Sequence, residues 1–161
     1  MGRIYEPIES GGEQMNLDIF TKFHDPYMQT SAGQGALLSG VLLGYMAVRQ
    51  AGGETDISKS PLFKQIQFGR MDIASLKRLL SRVPTLLAAY REDMKYTGYM
   101  SQLSAAAMEL LLQSGEEDMG VNGNFALAAG FLNARQYFWD IFPVSKEAKD
   151  LKNEKDEKEE G

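Results

Sequence analysis

The stretch from Ser31 to Ala51 limits the possible folds more than any other part of the chain, because it can be buried on two sides. At helical spacing its small residues fall on one line: Gly33, Ala36, Gly40, Gly44, Ala47 and Ala51. Its bulky residues fall on a second line: Leu38, Val41, Leu42, Tyr45 and Val48. A glycine inside a helix is about 1 kcal/mol less favourable than alanine, so close packing against a neighbouring backbone must offset the glycines. The pattern predicts a glycine-notched core helix at the centre of a bundle.

The rest of the chain predicts further helices and no strand, because no long stretch alternates polar and apolar residues. We expect short helices over 16–23 and from Ser60-Pro61, a helix over 73–90 capped by Asp72, and another over 98–113. Pro84 should kink the third of these or split it near Ser81, since proline removes one backbone donor.

The last long helix is predicted to open at Asn122 or Asn124 and to contain a second line of small residues. That line, made of Ala126, Gly130 and Ala134, is the predicted partner of the glycine line. With 161 residues, 43% of them hydrophobic, the chain has material for one core. The sequence thus predicts an all-α, single-domain bundle of about five to six helices over residues 16–144. An irregular arm (1–15) precedes it, and a charged tail (145–161) that we expect to be disordered follows it.

Composition narrows the possible chemistry. The chain has no cysteine, which excludes disulfides, thiolate metal sites and cysteine nucleophiles. The longest apolar run, Ala36 to Val48, has 13 positions, whereas a membrane span needs roughly 20. The first residues lack the apolar core of a secretory signal. We therefore expect a cytoplasmic protein without a membrane helix.

The net charge of −5 is unevenly distributed. The two ends of the chain account for all of it, so the middle is neutral as a whole. Between residues 59 and 91 the cations face one acid, Asp72. On the helix over 73–90, Lys77, Arg78, Ser81, Arg82 and Thr85 share one arc opposite the apolar stripe. Like charges four residues apart repel unless an anion lies between them, so this arc favours an anionic partner.

These cations predict a surface that tracks a nucleic-acid backbone without sequence preference. The predicted nucleic-acid-binding residues are Lys64, Arg70, Lys77, Arg78, Arg82 and Arg91, together with Arg49 and Arg135 on other predicted helices. Two alternatives stay open: a surface helix that is basic by accident, and a helical protein–protein adaptor whose basic arc meets an acidic protein. Nearby aromatic residues such as Phe63 and Phe68 could stack on bases, but their spacing is more typical of a core.

Catalysis is not expected. The single histidine, His24, precedes Asp25 at a predicted helix end, and the pair resembles part of a metal phosphohydrolase site. Such a site needs further histidines and acids, which this chain does not offer in a suitable pattern. We predict no catalytic residue, no metal site and no cofactor.

Four segments, taken in order, resemble a known family: Gly40–Tyr45 running on to Gln50, Ser60–Lys64, Ile73–Leu80 and Phe125–Gly130. They resemble the helical C-terminal region of the large subunit of type I CRISPR Cascade complexes, most closely type I-B. In such systems that region is also made separately, by internal translation, as the small subunit. The resemblance spans roughly residues 33–142.

The resemblance implies a non-catalytic helical subunit, present in more than one copy, that packs along the inside of the guide-RNA filament. Its implied partners are the backbone and large subunits of Cascade, further copies of itself, the hybrid of crRNA and target DNA, and the displaced non-target DNA strand. This expectation agrees with the basic arc, which follows from the residues alone.

Overall fold

The structure is a computed structural model that describes residues 15–50, 61–90, 94–115 and 119–143. Within these residues the chain forms α-helices and two 3-10 helices, and no strand. The 3-10 helices are Asp18–Lys22 and Pro26–Gln29, and the α-helices are α1 (Ser31–Gln50), α2 (Pro61–Gln65), α3 (Ile73–Ser81), α4 (Val83–Tyr90), α5 (Met94–Ser114), α6 (Gly120–Leu132) and α7 (Ala134–Ile141). The prediction of an all-α, single-domain bundle is confirmed. The predicted tail and nearly all of the predicted arm lie outside the described residues.

Helix α1 lies at the centre of the bundle, as predicted. Every residue from Gly35 to Ala47 is buried. The sequence offers two residues as the cap of this helix, Thr30 and Ser31. The structure has Thr30 as the cap, because its Oγ1 accepts a hydrogen bond from the Gly33 amide (3.0 Å). By length and composition alone the segment Ser31–Arg49 could cross a membrane, but 83% of its most apolar window is buried inside the molecule. Ser31–Arg49 is therefore a core helix of the bundle.

The glycine line of α1 packs against the backbone of α6. A Cβ atom added to Gly40 would collide with the Leu127 carbonyl, and one added to Gly44 would lie 2.5 Å from the Phe131 carbonyl oxygen. Gly130 of α6 meets α1 in the same way. The predicted pairing of the two small-residue lines is thus confirmed. On the opposite side of α1, Gly35 receives the Leu111 side chain of α5, so α1 lies between α5 and α6.

The predicted break before Pro84 is also confirmed. Helix α3 ends at Ser81, Arg82 forms the turn, and α4 begins at Val83. Pro84 has no amide hydrogen for the Leu80 carbonyl, and its ring would crowd that carbonyl in a continuous helix. The Arg82 amide bonds to the Leu79 and Leu80 carbonyls instead. The break places Arg82 at the junction of the two helices.

The observed helices differ from the predicted ones in four places. The segment after Asn16 is a 3-10 helix, in which Asn16 Oδ1 accepts from the Asp18 amide (2.8 Å). Helix α5 begins at Met94, before Gly98. Helix α6 begins at Gly120, ahead of both predicted caps, and the predicted long helix is interrupted at Asn133. There the Asn133 amide group donates to the Ala129 carbonyl (2.8 Å), which favours a turn over a straight helix.

Candidate nucleic-acid groove

A groove with a volume of about 250 Å³ lies where α2, the following turn and the α3–α4 junction meet. We call it the arginine groove. Its lining residues are Gln65, Gln67, Arg70, Met71, Ser75, Arg78, Leu79 and Arg82. Three of the predicted nucleic-acid-binding residues, Arg70, Arg78 and Arg82, are thus brought together, although twelve positions of chain, 70 to 82, separate the first from the last.

Local structure fixes the position of each arginine. Arg70 follows Gly69, whose backbone has a φ of 87°, a conformation that glycine adopts readily and that strains other residues. The Arg70 amide donates to the Gln67 carbonyl (2.9 Å) and closes the turn. Arg78 lies in the last turn of α3, and Arg82 lies in the break that Pro84 imposes. Arg82 Nη1 donates to Gln65 Oε1 (2.7 Å), which holds the guanidinium toward α2. All three side chains are exposed.

Asn124 of α6 anchors the floor of the groove. Its buried side chain accepts from the Met71 amide (2.9 Å) and donates to the Met71 carbonyl (3.0 Å) and to the Gly120 carbonyl (2.9 Å). The segment next to Arg70 is thereby tied to the core. Asn124 was predicted as a helix cap, which is wrong. The available signal was an amide side chain within a helix that is otherwise nearly all apolar.

The arginine groove has no acidic residue in its lining, as far as the described residues show. The acid that comes closest along the chain is Asp72, between groove residues Met71 and Ser75. Its Oδ1 accepts from the Ser75 amide (2.7 Å) and caps α3, as predicted. Hydrogen bonds from Ser75, and next the positive charge of Arg78, lower the pKa of Asp72 below its ordinary value. Arg78 therefore has one partial counter-charge.

The other predicted residues do not line the groove. Lys64 is exposed on α2, and Lys77 is half-buried on α3. Arg49 is half-buried near the end of α1, and Arg135 is exposed on α7. Arg91 lies outside the described residues. A role for any of these five in binding stays a prediction.

The aromatic residues beside the groove belong to the core, as their spacing favoured. Phe63 and Phe68 pack edge-on to Phe131 of α6, with ring centroids 5.7 and 5.1 Å from it. Tyr99 stacks on Phe142 at 4.6 Å and is buried. Phe63 and Phe68 stabilise the contact of α2 and the following turn with α6, and Tyr99 packs on the other side of the core. Stacking on bases is not needed to explain these rings.

His24 is exposed on the segment between the two 3-10 helices. Within the described parts of the chain, no three histidine or acidic side chains are grouped so that they could hold a metal ion. The expectation of a protein without catalysis stays a prediction.

The fold and the groove together define a class: a helical domain in which three arginines line one groove and, among the described residues, no carboxylate lines it. Comparison with known families identifies the family. The model of the CRISPR-associated protein TM1802 C-terminal domain matches residues 5–144, and the chain belongs to this family. The search of curated proteins and that of solved structures each find no significant match.

Proposed function

We propose that this chain is a non-catalytic small subunit of a CRISPR RNA-guided surveillance complex of the Cascade type, similar to the helical C-terminal region of the large subunit in type I-B systems. It holds nucleic acid by contacts to the sugar-phosphate backbone. The observation that carries this proposal is that Arg70, Arg78 and Arg82 line one groove in which no carboxylate of the described residues takes part. Membership of a CRISPR-associated family supports it.

Phosphate is the chemical group that this groove suits best. A guanidinium presents a planar set of donors that can bind phosphate oxygens in pairs, and three of them supply affinity without reading sequence. Gln65 and Gln67 add neutral amides that can bond to phosphate or sugar oxygens. The proposed ligands are the displaced non-target DNA strand and the hybrid of crRNA and target DNA. The proposed protein partners are the backbone and large subunits and further copies of the chain, in the cytoplasm.

The decisive experiment is fluorescence anisotropy with a labelled, random-sequence single-stranded DNA over a range of salt concentrations. For single strands, each phosphate that a cation neutralises contributes about −0.7 to the slope of log K against log salt. Three arginines that each neutralise one phosphate therefore predict a slope of about −2. The Arg78→Gln/Arg82→Gln variant should bind at least about tenfold more weakly, and its slope should fall to about −0.7.

The chain offers a matched control for this variant. Lys22→Glu changes the net charge by the same two units at an exposed position on the first 3-10 helix, and Lys22 is not among the residues that line the groove. It should bind as the parent does. Unchanged circular dichroism in both variants separates binding from folding. Equal losses in both variants, or no binding at low salt, would reject the arginine groove as a backbone-binding site.

The alternative is a helical adaptor that contacts only other proteins. Three exposed apolar residues on α6, Val121, Phe125 and Leu132, favour some protein partner. Both functions predict salt-sensitive association, so the discriminating measurement is competition. Random-sequence single-stranded DNA should displace a nucleic-acid ligand from the groove, whereas an adaptor would keep its protein partner in the presence of that DNA.

A further inference from the structure

Helix α6 carries apolar side chains on the side that faces away from α1. Val121, Phe125, Ala128 and Leu132 fall within one arc of about 60° at 100° per residue, and we call them the outer face of α6. Val121, Phe125 and Leu132 are 86%, 64% and 73% exposed, and α6 has no charged residue. A surface helix normally presents polar side chains to solvent, so this face is suited to an apolar cover.

The apolar residues that could cover this face from within the chain are concentrated in the arm (1–15). Outside the described residues, Ile4, Tyr5 and Ile8 lie within five positions of one another. The other stretches outside the described residues hold three large apolar residues, spread singly: Ile57, Val144 and Leu151. The family model matches from residue 5 onward, so most of the arm belongs to the domain that defines the family.

The sequence of the arm separates its charges from its apolar residues. Pro7 favours polyproline II geometry for itself and for the residue before it. At the three residues per turn of that geometry, Arg3, Glu6 and Glu9 share one line. The other two lines hold the apolar residues: Ile4, Tyr5, Pro7 and Ile8. The charged line can therefore face water while the apolar lines lie on an uncharged helix.

The arm enters the bundle at the end of α7. The Asn16 amide donates to the Ile141 carbonyl (2.7 Å), and Met15 packs against the core. The arm therefore starts from a fixed point on the surface of the bundle.

The direction of the helices shows which end of the outer face is nearer to this point. Gly40 of α1 lies against Leu127 of α6, and Tyr45, further along α1, stacks on Phe138 of α7 at 3.8 Å. Helices α6 and α7 thus follow one another along α1 in the same direction. Leu132 is therefore the end of the outer face that lies nearer to the start of the arm.

The arm is long enough to cover the whole face. Along the helix axes, Phe125 lies about 24 Å and Val121 about 30 Å from the end of α7. In polyproline II geometry, Ile8 reaches about 25 Å and Ile4 about 37 Å from Asn16.

We propose that residues 4–8 of the arm dock on the outer face of α6 in the same chain, running from Leu132 toward Val121. A stable complex between separate molecules buries about 800 Å² per partner, more than three exposed side chains supply. The arm needs less, because its connection to the domain gives an effective concentration in the millimolar range. The proposal does not rest on nucleic-acid binding, and it accounts for the exposed residues of α6 without a protein partner.

The absence of native cysteine allows a test by disulfide cross-linking in the full chain. The Ser10→Cys/Ala128→Cys variant keeps the large apolar side chains of the arm and of α6. Position 10 lies about 19 Å from Asn16 in polyproline II geometry, and position 128 lies about 20 Å from the end of α7, so docking brings the two to the same level. Under copper phenanthroline, with protein at about 1 µM, this pair should form a disulfide within one chain.

A matched control places the second cysteine on α5, which lies across α1 from α6. Ala105 is exposed there, about 9 Å along the helix from Tyr99, which stacks on Phe142 beside the start of the arm. An arm that does not dock would reach position 105 at least as easily as position 128. The Ser10→Cys/Ala128→Cys pair should cross-link at least about tenfold faster than the Ser10→Cys/Ala105→Cys pair.

Two further changes to the arm test its apolar side chains in the Ser10→Cys/Ala128→Cys chain. Tyr5→Ser/Ile8→Ser should lower the cross-linking rate to that of the control pair, whereas Glu6→Gln/Glu9→Gln should leave the rate unchanged. Equal rates for the two cysteine pairs, or a fast rate that survives Tyr5→Ser/Ile8→Ser, would overturn the proposal. Cross-links that join only separate chains would place a second copy on the face and would overturn it as well.

Discussion

Gly40 of α1 and Gly130 of α6 are reciprocal contact points between the two helices. A Cβ atom on Gly40 would collide with the Leu127 carbonyl and lie 2.9 Å from the Phe131 amide nitrogen, both in α6. A Cβ atom on Gly130 would collide with the Leu37 carbonyl and lie 3.0 Å from the Val41 amide nitrogen, both in α1. Each glycine is thus the notch that receives the backbone of the other helix, and backbone cannot move aside as a side chain can.

Gly40→Ala should therefore destabilise the fold, by about 1–3 kcal/mol in the free energy of unfolding, because the helices must separate to admit one methyl group. Gly98→Ala is the matched control: Gly98 is an exposed glycine inside α5 with no atom within 4 Å of an added Cβ. This control should stabilise the protein by about 0.5–1 kcal/mol through helix propensity. Urea denaturation followed by circular dichroism measures both. A neutral or stabilising Gly40→Ala would refute the close approach.

The parts of the fold that could be predicted are those that local chemistry determines. The glycine line, the Thr30 cap and the break before Pro84 each follow from a few neighbouring residues. The start of α6 could not be predicted, because Gly120 begins the helix at a φ of 63° and no side chain caps it. The break at Asn133 depends on the hydrogen bond from its side-chain amide to the Ala129 carbonyl. Asparagine is also tolerated inside helices, so its presence in the sequence does not by itself predict a break.

Asn124 should be as sensitive as a core residue. Asn124→Leu keeps the volume but leaves the Met71 amide and carbonyl without partners, which should lower the free energy of unfolding by about 2–4 kcal/mol. Hydrogen exchange at the Met71 amide should accelerate by more than the loss of global stability explains. Asn122→Ala, at an exposed position on the same helix, should change stability by less than about 0.5 kcal/mol. Equal effects of the two variants would contradict the anchoring role of Asn124.

The candidate site could be predicted in part. Arg78 and Arg82 are four residues apart, so helical periodicity placed them on one side. The groove itself depends on two further features. The turn at Gly69 places Arg70 beside the other two arginines, and Asn124, 53 residues after Met71 in the sequence, holds Met71 in place by hydrogen bonds. Such a contact between distant segments leaves no periodic pattern. For the same reason the sequence could not separate Lys64 and Lys77, which do not line the groove, from the three arginines that do.

Asp72 should make stability depend on pH in acid. Its pKa is lowered in the folded protein, so its stabilising effect is present above its ordinary value of 3.8 and is lost as the pH falls through the folded value. At pH 7, Asp72→Ala should cost about 1 kcal/mol through loss of the α3 cap. The difference between Asp72→Ala and the parent should shrink as the pH falls below 3.8, where the carboxyl of the parent takes up a proton. A difference that stays constant with pH would show that the charged cap does not stabilise α3.

Asp72→Asn should strengthen nucleic-acid binding if the arginine groove is the binding site. Asparagine caps a helix about as well as aspartate, so α3 should stay intact, while Arg78 loses its partial counter-charge. Affinity for single-stranded DNA at low salt should rise by about two- to fivefold, and the gain should disappear at high salt because screening weakens this interaction. Asp18→Asn makes the same chemical change at an exposed position on the first 3-10 helix and should have a smaller effect. Equal gains from both variants would mean that total charge, and not the electrostatics of the groove, governs binding.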